Sequence, residues 1–249
     1  MARKKKLKKG AKRLIRVIIL IAFAFILAEV IEYYYESTKT YVPYEEYKED
    51  YYYAYDFGFI DQKSNTDYNN NGNDDYEDIL IGLKNFAKRN PKYVSKYYDN
   101  GYPPENEGVC TDTIVEAIDN AGYNLKDLIN KDIKNNKKEY SIEIIDGNID
   151  YRRVNAQRIF FEKYVKQYST NYEDIIEFNP GDILVFEDDE HIAMVSDKRN
   201  AKGIPYLIQN RDETQEEKEE DRLEISDMKI SYHFRFNYNE KLEKLINKK

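Results

Sequence analysis

Apolar positions along this chain follow three different rhythms. Val17 to Ala28 is an unbroken apolar run. With Leu14, Ile15, Val30 and Ile31 beside it, the segment approaches the ~20 residues that a bilayer-crossing helix needs. Further on the rhythm becomes helical. Ile79, Leu80, Leu83, Phe86 and Ala87 share one face, as do Ile114, Val115, Ala117, Ile118 and Ala121. Leu125, Leu128, Ile129 and Ile133 predict a helix from Asn124 to about Asn136, and Val154, Ile159, Phe160, Tyr164 and Val165 predict another over Arg153–Tyr168. After the turn Asn179-Pro-Gly-Asp182 the runs shorten to strand length, at Ile183–Phe186, Ile192–Ser196, Tyr206–Gln209 and Met228–Phe236. Asp197–Gly203 reads as a hairpin loop. Helices first and an antiparallel sheet later define an α+β layout.

Charge decides how the first run is read. Residues 1–16 carry nine Lys or Arg and no acid; removing those nine from the net −8 leaves −17 on the rest of the chain. So acidic a body is a poor partner for nucleic acid. A basic stretch ahead of an apolar run is the signature of a membrane anchor with its N-terminus inside, and Tyr33, Tyr34 and Tyr35 fit the interface beyond it. A cleaved signal peptide is the alternative, with Ala28 as a cleavage residue. Either reading exports the remainder: a single-pass cell-membrane protein with an extracellular C-terminal domain, or a secreted one. The chain then divides into a basic tail and anchor or signal peptide (1–31), an extracellular linker rich in Tyr and charge (32–66), a polar loop with its following helix (67–90), the main domain (91–237) and a charged C-terminal tail (238–249). Residues 211–227 hold nine acids and read as a solvated loop.

The polar loop has its own spacing. Asp67, Asn69, Asn71, Asn73, Asp75 and Asp78, with Gly72 at the sixth position, follow the calcium-loop pattern of EF-hands, with Asp in place of the usual Glu at the last position. It is similar to the loops of bacterial dockerin modules. A structural Ca2+ is the cofactor this spacing suggests; an Asn-rich hydrophilic linker is the alternative.

Cys110 is the sole cysteine, so no intramolecular disulfide forms. It follows a turn-rich approach, Gly101–Gly108, and opens a predicted helix that stops at Ala121-Gly122. A thiol there faces unpaired N–H groups and the positive helix end, which favour the thiolate. The competing reading is a small residue packed under a helix. The chain has two histidines. His191 lies at the mouth of a strand, where it can meet a thiol across a helix–sheet interface and take its proton. His233 sits mid-strand between Tyr232 and Phe234, as a packed ring would. Gln209 and Asn210 end the next strand and are candidates to orient His191; successive strand residues alternate faces, so only one can do so. The backbone N–H of Cys110 would donate to an oxyanion.

Gly101-Tyr-Pro-Pro, Gly108-Val-Cys-Thr-Asp112, Ala121-Gly-Tyr-Asn-Leu-Lys-Asp-Leu128, Asn148-Ile-Asp-Tyr-Arg-Arg-Val154, Pro180-Gly-Asp-Ile183, His191-Ile, Val195-Ser-Asp-Lys-Arg-Asn200 and Gly203-Ile-Pro-Tyr206 resemble the bacterial family called domain of unknown function 1287. That family is itself similar to the papain-like, NlpC-type cysteine peptidases. The resemblance implies a papain-like fold, with helices packed on a small antiparallel sheet. It also implies a cysteine peptidase or amidase activity on cell-wall stem peptides, with Cys110 and His191 catalytic and Gln209 and Asn210 beside them. Tyr102, Asp112 and Arg152 fall within the same motifs and are the expected substrate contacts. Where the family more often has His-Asn, this chain has Gln209-Asn210. The expected function is a membrane-tethered cysteine hydrolase that cuts amide bonds in peptidoglycan peptides. A non-catalytic surface module using the same groove and a thioester acyltransferase are the alternatives. No cofactor is required for the chemistry.

Overall fold

The computed structural model describes residues 51–225 and 228–248, together with Leu27. The expected anchor, Leu27 apart, and most of the expected linker lie outside the described residues. Among those described, no helix is long and apolar enough to cross a membrane.

The four predicted helices are present as α1 (Asp75–Arg89), α2 (Cys110–Asn120), α3 (Leu125–Asn136) and α4 (Val154–Tyr164), and a fifth, α5 (Glu240–Asn247), follows near the C-terminus. Local chemistry sets their ends. The Asp74 side chain accepts the Tyr76 and Glu77 N–H groups at the start of α1. Asn124 accepts Asp127 N at the start of α3. Both caps satisfy donors that a helix start leaves unpaired. The chain leaves α2 through Gly122 at φ +88°, a left-handed conformation that glycine adopts without strain.

Strands β1 (Lys92–Tyr93) and β2 (Glu107–Gly108) form a short parallel pair. The main sheet contains β3 (Lys166–Gln167), β4 (Ile183–Phe186), β5 (His191–Arg199), β6 (Pro205–Ile208), β7 (Glu219–Glu220) and β8 (Ile230–Arg235). Its order is β3-β8-β4-β5-β6-β7, antiparallel throughout. The central strands read as continuous apolar runs because both faces are covered. On one face Ile183, Val185, Ile192, Met194 and Ile208 pack with Ile79, Leu83, Ile114 and Ile118 of the helices. On the other Leu184, Phe186, Ala193, Val195 and Leu207 form a smaller core with Phe178, Ile204 and Leu223. Each fully buried side chain of this size contributes roughly 1.5–3 kcal/mol.

The Pro180-Gly181-Asp182 turn anchors this sheet. Asp182 accepts from Arg235 Nε and Nη2 at 2.6 and 2.7 Å, from Asn179 N at 2.7 Å, and meets His233 Nε2 at 2.8 Å. His233 Nδ1 meets the Ser169 carbonyl at 2.6 Å, and the ring stacks on Phe178. His233 is therefore a packed, doubly bonded ring with no access to the Cys110 region.

Four segments differ from the sequence reading. Residues 51–66, expected as linker, lie against the body: Tyr52 and Arg199 exchange two backbone hydrogen bonds of 2.7 Å, and Asp61 lies 3.6 Å from the buried Arg199 guanidinium. The expected charged tail contains α5, whose Leu242 and Leu245 are buried. The helix predicted over Arg153–Tyr168 ends at Tyr164, and Lys166–Gln167 pairs with β8 instead. The acidic loop contributes β7, whose Glu219 and Glu220 pair with Ile208 and Leu207.

Candidate active site

The approach to Cys110 is held at several points. Tyr93 pairs with Gly108, and Val94 N donates to the Gly108 carbonyl at 3.0 Å. Asn210 Nδ2 donates to the same carbonyl at 3.0 Å and to the Pro91 carbonyl at 3.4 Å. Val109 then takes an extended conformation, and Asp112 reaches back to accept its N–H at 2.8 Å. That closes the first turn of α2, on which Cys110 is the first residue. Asp112 is gripped in turn by Arg152, with Nε–Oδ1 and Nη2–Oδ2 contacts of 2.8 Å each. Both side chains are buried. Removing one partner of such a pair costs about 3–5 kcal/mol, because a charge is left alone in the interior. Thr111 Oγ1 donates to the Arg152 carbonyl, and Gln157 Nε2 donates to the Thr111 carbonyl.

This framework sets the thiol against the sheet. Sγ lies near the backbone amide of Ile192, the residue that follows His191, and near the Thr111 and Cys110 amides. Those amides favour a thiolate, but burial outweighs them and pushes the thiol up to about 11. The thiolate expected from the helix position is therefore not the resting state.

His191 opens β5 opposite Phe186. Its Nε2 lies 2.7 Å from Gln209 Oε1. A carboxamide oxygen only accepts, so Nε2 carries the proton and Nδ1 is the basic nitrogen. Gln209 is itself positioned. Its N–H donates to the Lys218 carbonyl at 3.0 Å, and its Nε2 faces Glu220 Oε2 at 3.4 Å, which leaves Oε1 for the imidazole. Burial lowers the His191 pKa, Arg211 lowers it further, and the Gln209 bond and Asp212 oppose them. The site at rest thus holds a neutral thiol and a neutral imidazole. Strand alternation turns Ile192 to the face on which Cys110 packs and His191 to the other face, with Phe186 and Leu207, and no hydrogen bond joins Sγ to the ring.

Strand alternation separates Gln209 from Asn210. Gln209 faces His191, whereas Asn210 points to the opposite side and ties down the Cys110 approach. Beside the imidazole opens a cleft of about 210 Å³, lined by His191, Gln209, Arg211 and Arg222 over Phe186 and Leu207. Sequence reasoning missed both arginines, which sit in a stretch dominated by acids. It also missed Tyr93, which lies near enough to Cys110 for a thiolate there to raise the Tyr93 hydroxyl pKa, behind the larger effect of burial.

The expected substrate contacts lie elsewhere. Asp112 and Arg152 satisfy each other and hold the helix start. Tyr102 and Asp112 line a second cleft together with Arg89, Glu105 and Glu116, and Lys126 sits 4.5 Å from the Tyr102 ring centre.

The calcium-spaced loop closes on itself. Asn69, Asn71 and Asn73 turn their amide nitrogens onto the Asp78 carboxylate at 2.8–3.1 Å. Asp67 accepts the Asn71 and Gly72 N–H groups. Asp75, expected as a ligand, is turned away: it accepts Tyr68 N and the Tyr123 hydroxyl. Among the described residues no group of three or more His, Cys, Asp or Glu is disposed to hold a metal. The other five positions still converge, and a cation between them needs the three carboxamides turned over to present oxygen.

A family model described as domain of unknown function (DUF1287) matches residues 82–236, which include Cys110, His191, Gln209 and Asn210 but not the calcium-spaced loop. The uncharacterised protein YijF of Escherichia coli strain K12 is 32% identical over 127 residues. That match covers 48% of this chain and 62% of YijF. No solved structure matches.

Proposed function

The chain belongs to the DUF1287 family, and from the site that its matched segment builds we propose that it is a cysteine hydrolase acting on amide bonds, with peptidoglycan peptides as the substrate class. Cys110 is the nucleophile, His191 the base and Gln209 the group that orients the base. The observation that carries this reading is the 2.7 Å contact between His191 Nε2 and Gln209 Oε1. It leaves Nδ1 as the basic nitrogen, one residue before Ile192, whose face of the strand packs with Cys110. The order of cysteine at a helix start, histidine opening a strand and carboxamide closing the next is similar to that of papain-like, NlpC-type hydrolases; that likeness is analogy and adds to the argument without replacing it.

The reading requires the His191 ring to turn round the end of the sheet toward Cys110; Nδ1 then takes the thiol proton as Sγ attacks the amide carbonyl, and a C–S bond forms. The Cys110 N–H and the Tyr93 hydroxyl are the donors available to the oxyanion. When the C–N bond breaks, the imidazolium gives its proton to the leaving amine. Water, deprotonated by Nδ1, then attacks the thioester, releasing a carboxylic acid and restoring the thiol. A pair that is neutral at rest is suited to this sequence, since the charge arises only as the bond forms.

The basic residues 3–16 and the apolar run beyond them tether the enzyme to the membrane with its catalytic domain outside. The test is incubation of the full chain with purified peptidoglycan, with products read by mass. Release of fragments bearing new amino termini is expected, and is expected to vanish in Cys110→Ala. Unchanged release by Cys110→Ala sinks the assignment.

The raised thiol pKa favours one rival, a non-catalytic module that binds wall peptide in the same groove. The same assay separates them: the module would retain peptidoglycan on a pull-down without releasing anything.

A further inference from the structure

The cleft beside His191 is charged in a way that the hydrolytic residues do not explain. Arg211 lines it, and its Nε is buried without a hydrogen-bond partner. One of its terminal nitrogens pairs with Asp212, and its backbone N–H is held by Gln215 Oε1 at 2.7 Å. Arg222 lines the same cleft from the far side of the acidic loop, half-buried, with no hydrogen bond or ion pair among the described residues. Glu220, the nearby acid, is engaged by Gln215 Nε2 at 2.9 Å and by Gln209. In a chain with a net charge of −8, two guanidinium groups converge on about 210 Å³ of space next to the catalytic imidazole. A buried guanidinium nitrogen without an acceptor is costly, and a planar carboxylate is the acceptor that its fork fits best.

We propose that Arg211 and Arg222 make this cleft a receptor for a carboxylate on the leaving-group half of the substrate. This rests on the hydrolase reading in one respect only, the identity of the half. The imidazole must protonate the departing amine, so the group beside His191 is the leaving group. The preferred scissile amide is then one whose nitrogen belongs to an amino acid with a free carboxylate within a few bonds, such as a chain-terminal residue or a diamino acid.

The chain has only two histidines, so the His191 ring can be followed by NMR and assigned by its loss in His191→Gln. The full chain is titrated with N-acetylglycine, which carries an amide and a carboxylate, and with N-acetylglycinamide, which lacks the charge. The expected result is a saturable shift of the His191 signals with the acid alone, and at least tenfold weaker binding in Arg222→Gln. Arg222 makes no hydrogen bond or ion pair among the described residues, and an unchanged melting temperature checks that the variant is folded. Arg222→Lys should recover part of the affinity, since it restores charge without the fork. Equal response to acid and amide, no response to either, unchanged affinity in Arg222→Gln, or inorganic phosphate matching the acid would each overturn the proposal. The titration repeated in Cys110→Ala keeps the two claims apart. Acid-selective binding by an unaltered chain that itself releases nothing from peptidoglycan would defeat the hydrolase and leave the carboxylate site standing.

Discussion

At Cys110 three backbone amides and a helix start act against burial, and burial wins, holding the thiol near 11. Reactivity follows the thiolate, whose fraction falls tenfold for each pH unit below the pKa. Against an ordinary thiol at 9.0, a thiol at about 11 leaves the thiolate roughly a hundredfold scarcer at pH 7. Alkylation of the folded chain by iodoacetamide should therefore be at least that much slower than in the urea-unfolded chain, and should keep rising with pH through 9. A plateau near neutral pH that His191→Ala removes would show a preformed ion pair instead. The candidate residues were legible at this scale, because a lone cysteine and one strand-mouth histidine leave few choices. The pKa was not, since it depends on Ile192 and on burial contributed by distant segments. Gln209 and Asn210 show the same limit. Alternation said that one of the two would face His191, but only the register of β6 against β5 decides which.

At the scale of elements, α1 and α2 cross where glycine permits it. A Cβ on Gly82 would lie 2.7 Å from Asn120 Cβ and 3.1 Å from Ala117 Cα. In an isolated helix, alanine is better than glycine by about 1 kcal/mol. Here the opposing atoms are a Cβ bonded directly to the α2 backbone and a backbone Cα, neither of which can swing away, and overpacking of this kind costs about 1–3 kcal/mol. Gly82→Ala should lower the melting temperature despite its higher helix propensity, and should disturb Cys110 through the shift of α2. The calcium-spaced loop is tied to the far end of that same helix, because Asn120 donates to the Asp78 carbonyl and Asn69 to the Asn120 carbonyl. We propose that calcium binds there once the carboxamides turn over, a change that leaves their shape nearly unaltered. Saturating calcium at a hundredfold excess over its dissociation constant would add about 2.7 kcal/mol of stability. Asp67→Ala should abolish the rise in melting temperature, and absence of any rise in the unaltered chain rules the ion out. The spacing of this loop was readable; the diversion of Asp75 to Tyr68 and Tyr123 was not, since Tyr123 is brought in by α2.

Over the whole molecule, the family match begins inside α1 and ends before α5, yet the body does not divide there. The helix and strand order was legible because each element carries its own period, and the four main strands were found within a few residues. Residues 51–66 and 238–248 read as linker and tail because their anchoring contacts are long-range. The strap is held through Tyr52 and Asp61 to Arg199, and Arg199 in turn bonds the Ile175, Gly203 and Phe178 carbonyls from a fully buried position. No local pattern announces such contacts. They predict that residues 82–236 will not fold as a unit. That piece lacks Ile79, Leu242 and Leu245, each buried and contributing roughly 1.5–3 kcal/mol. It also lacks the segment 51–66 that covers Arg199 with Asp61 and the two backbone bonds of Tyr52. Together these losses are comparable with the ~5–15 kcal/mol that separates a folded domain from its unfolded chain. Residues 51–249 should melt cooperatively, whereas 82–236 should show no transition and bind hydrophobic dye. A sharp melt for the shorter piece at the same temperature would mean that the strap and α5 rest on the body without stabilising it.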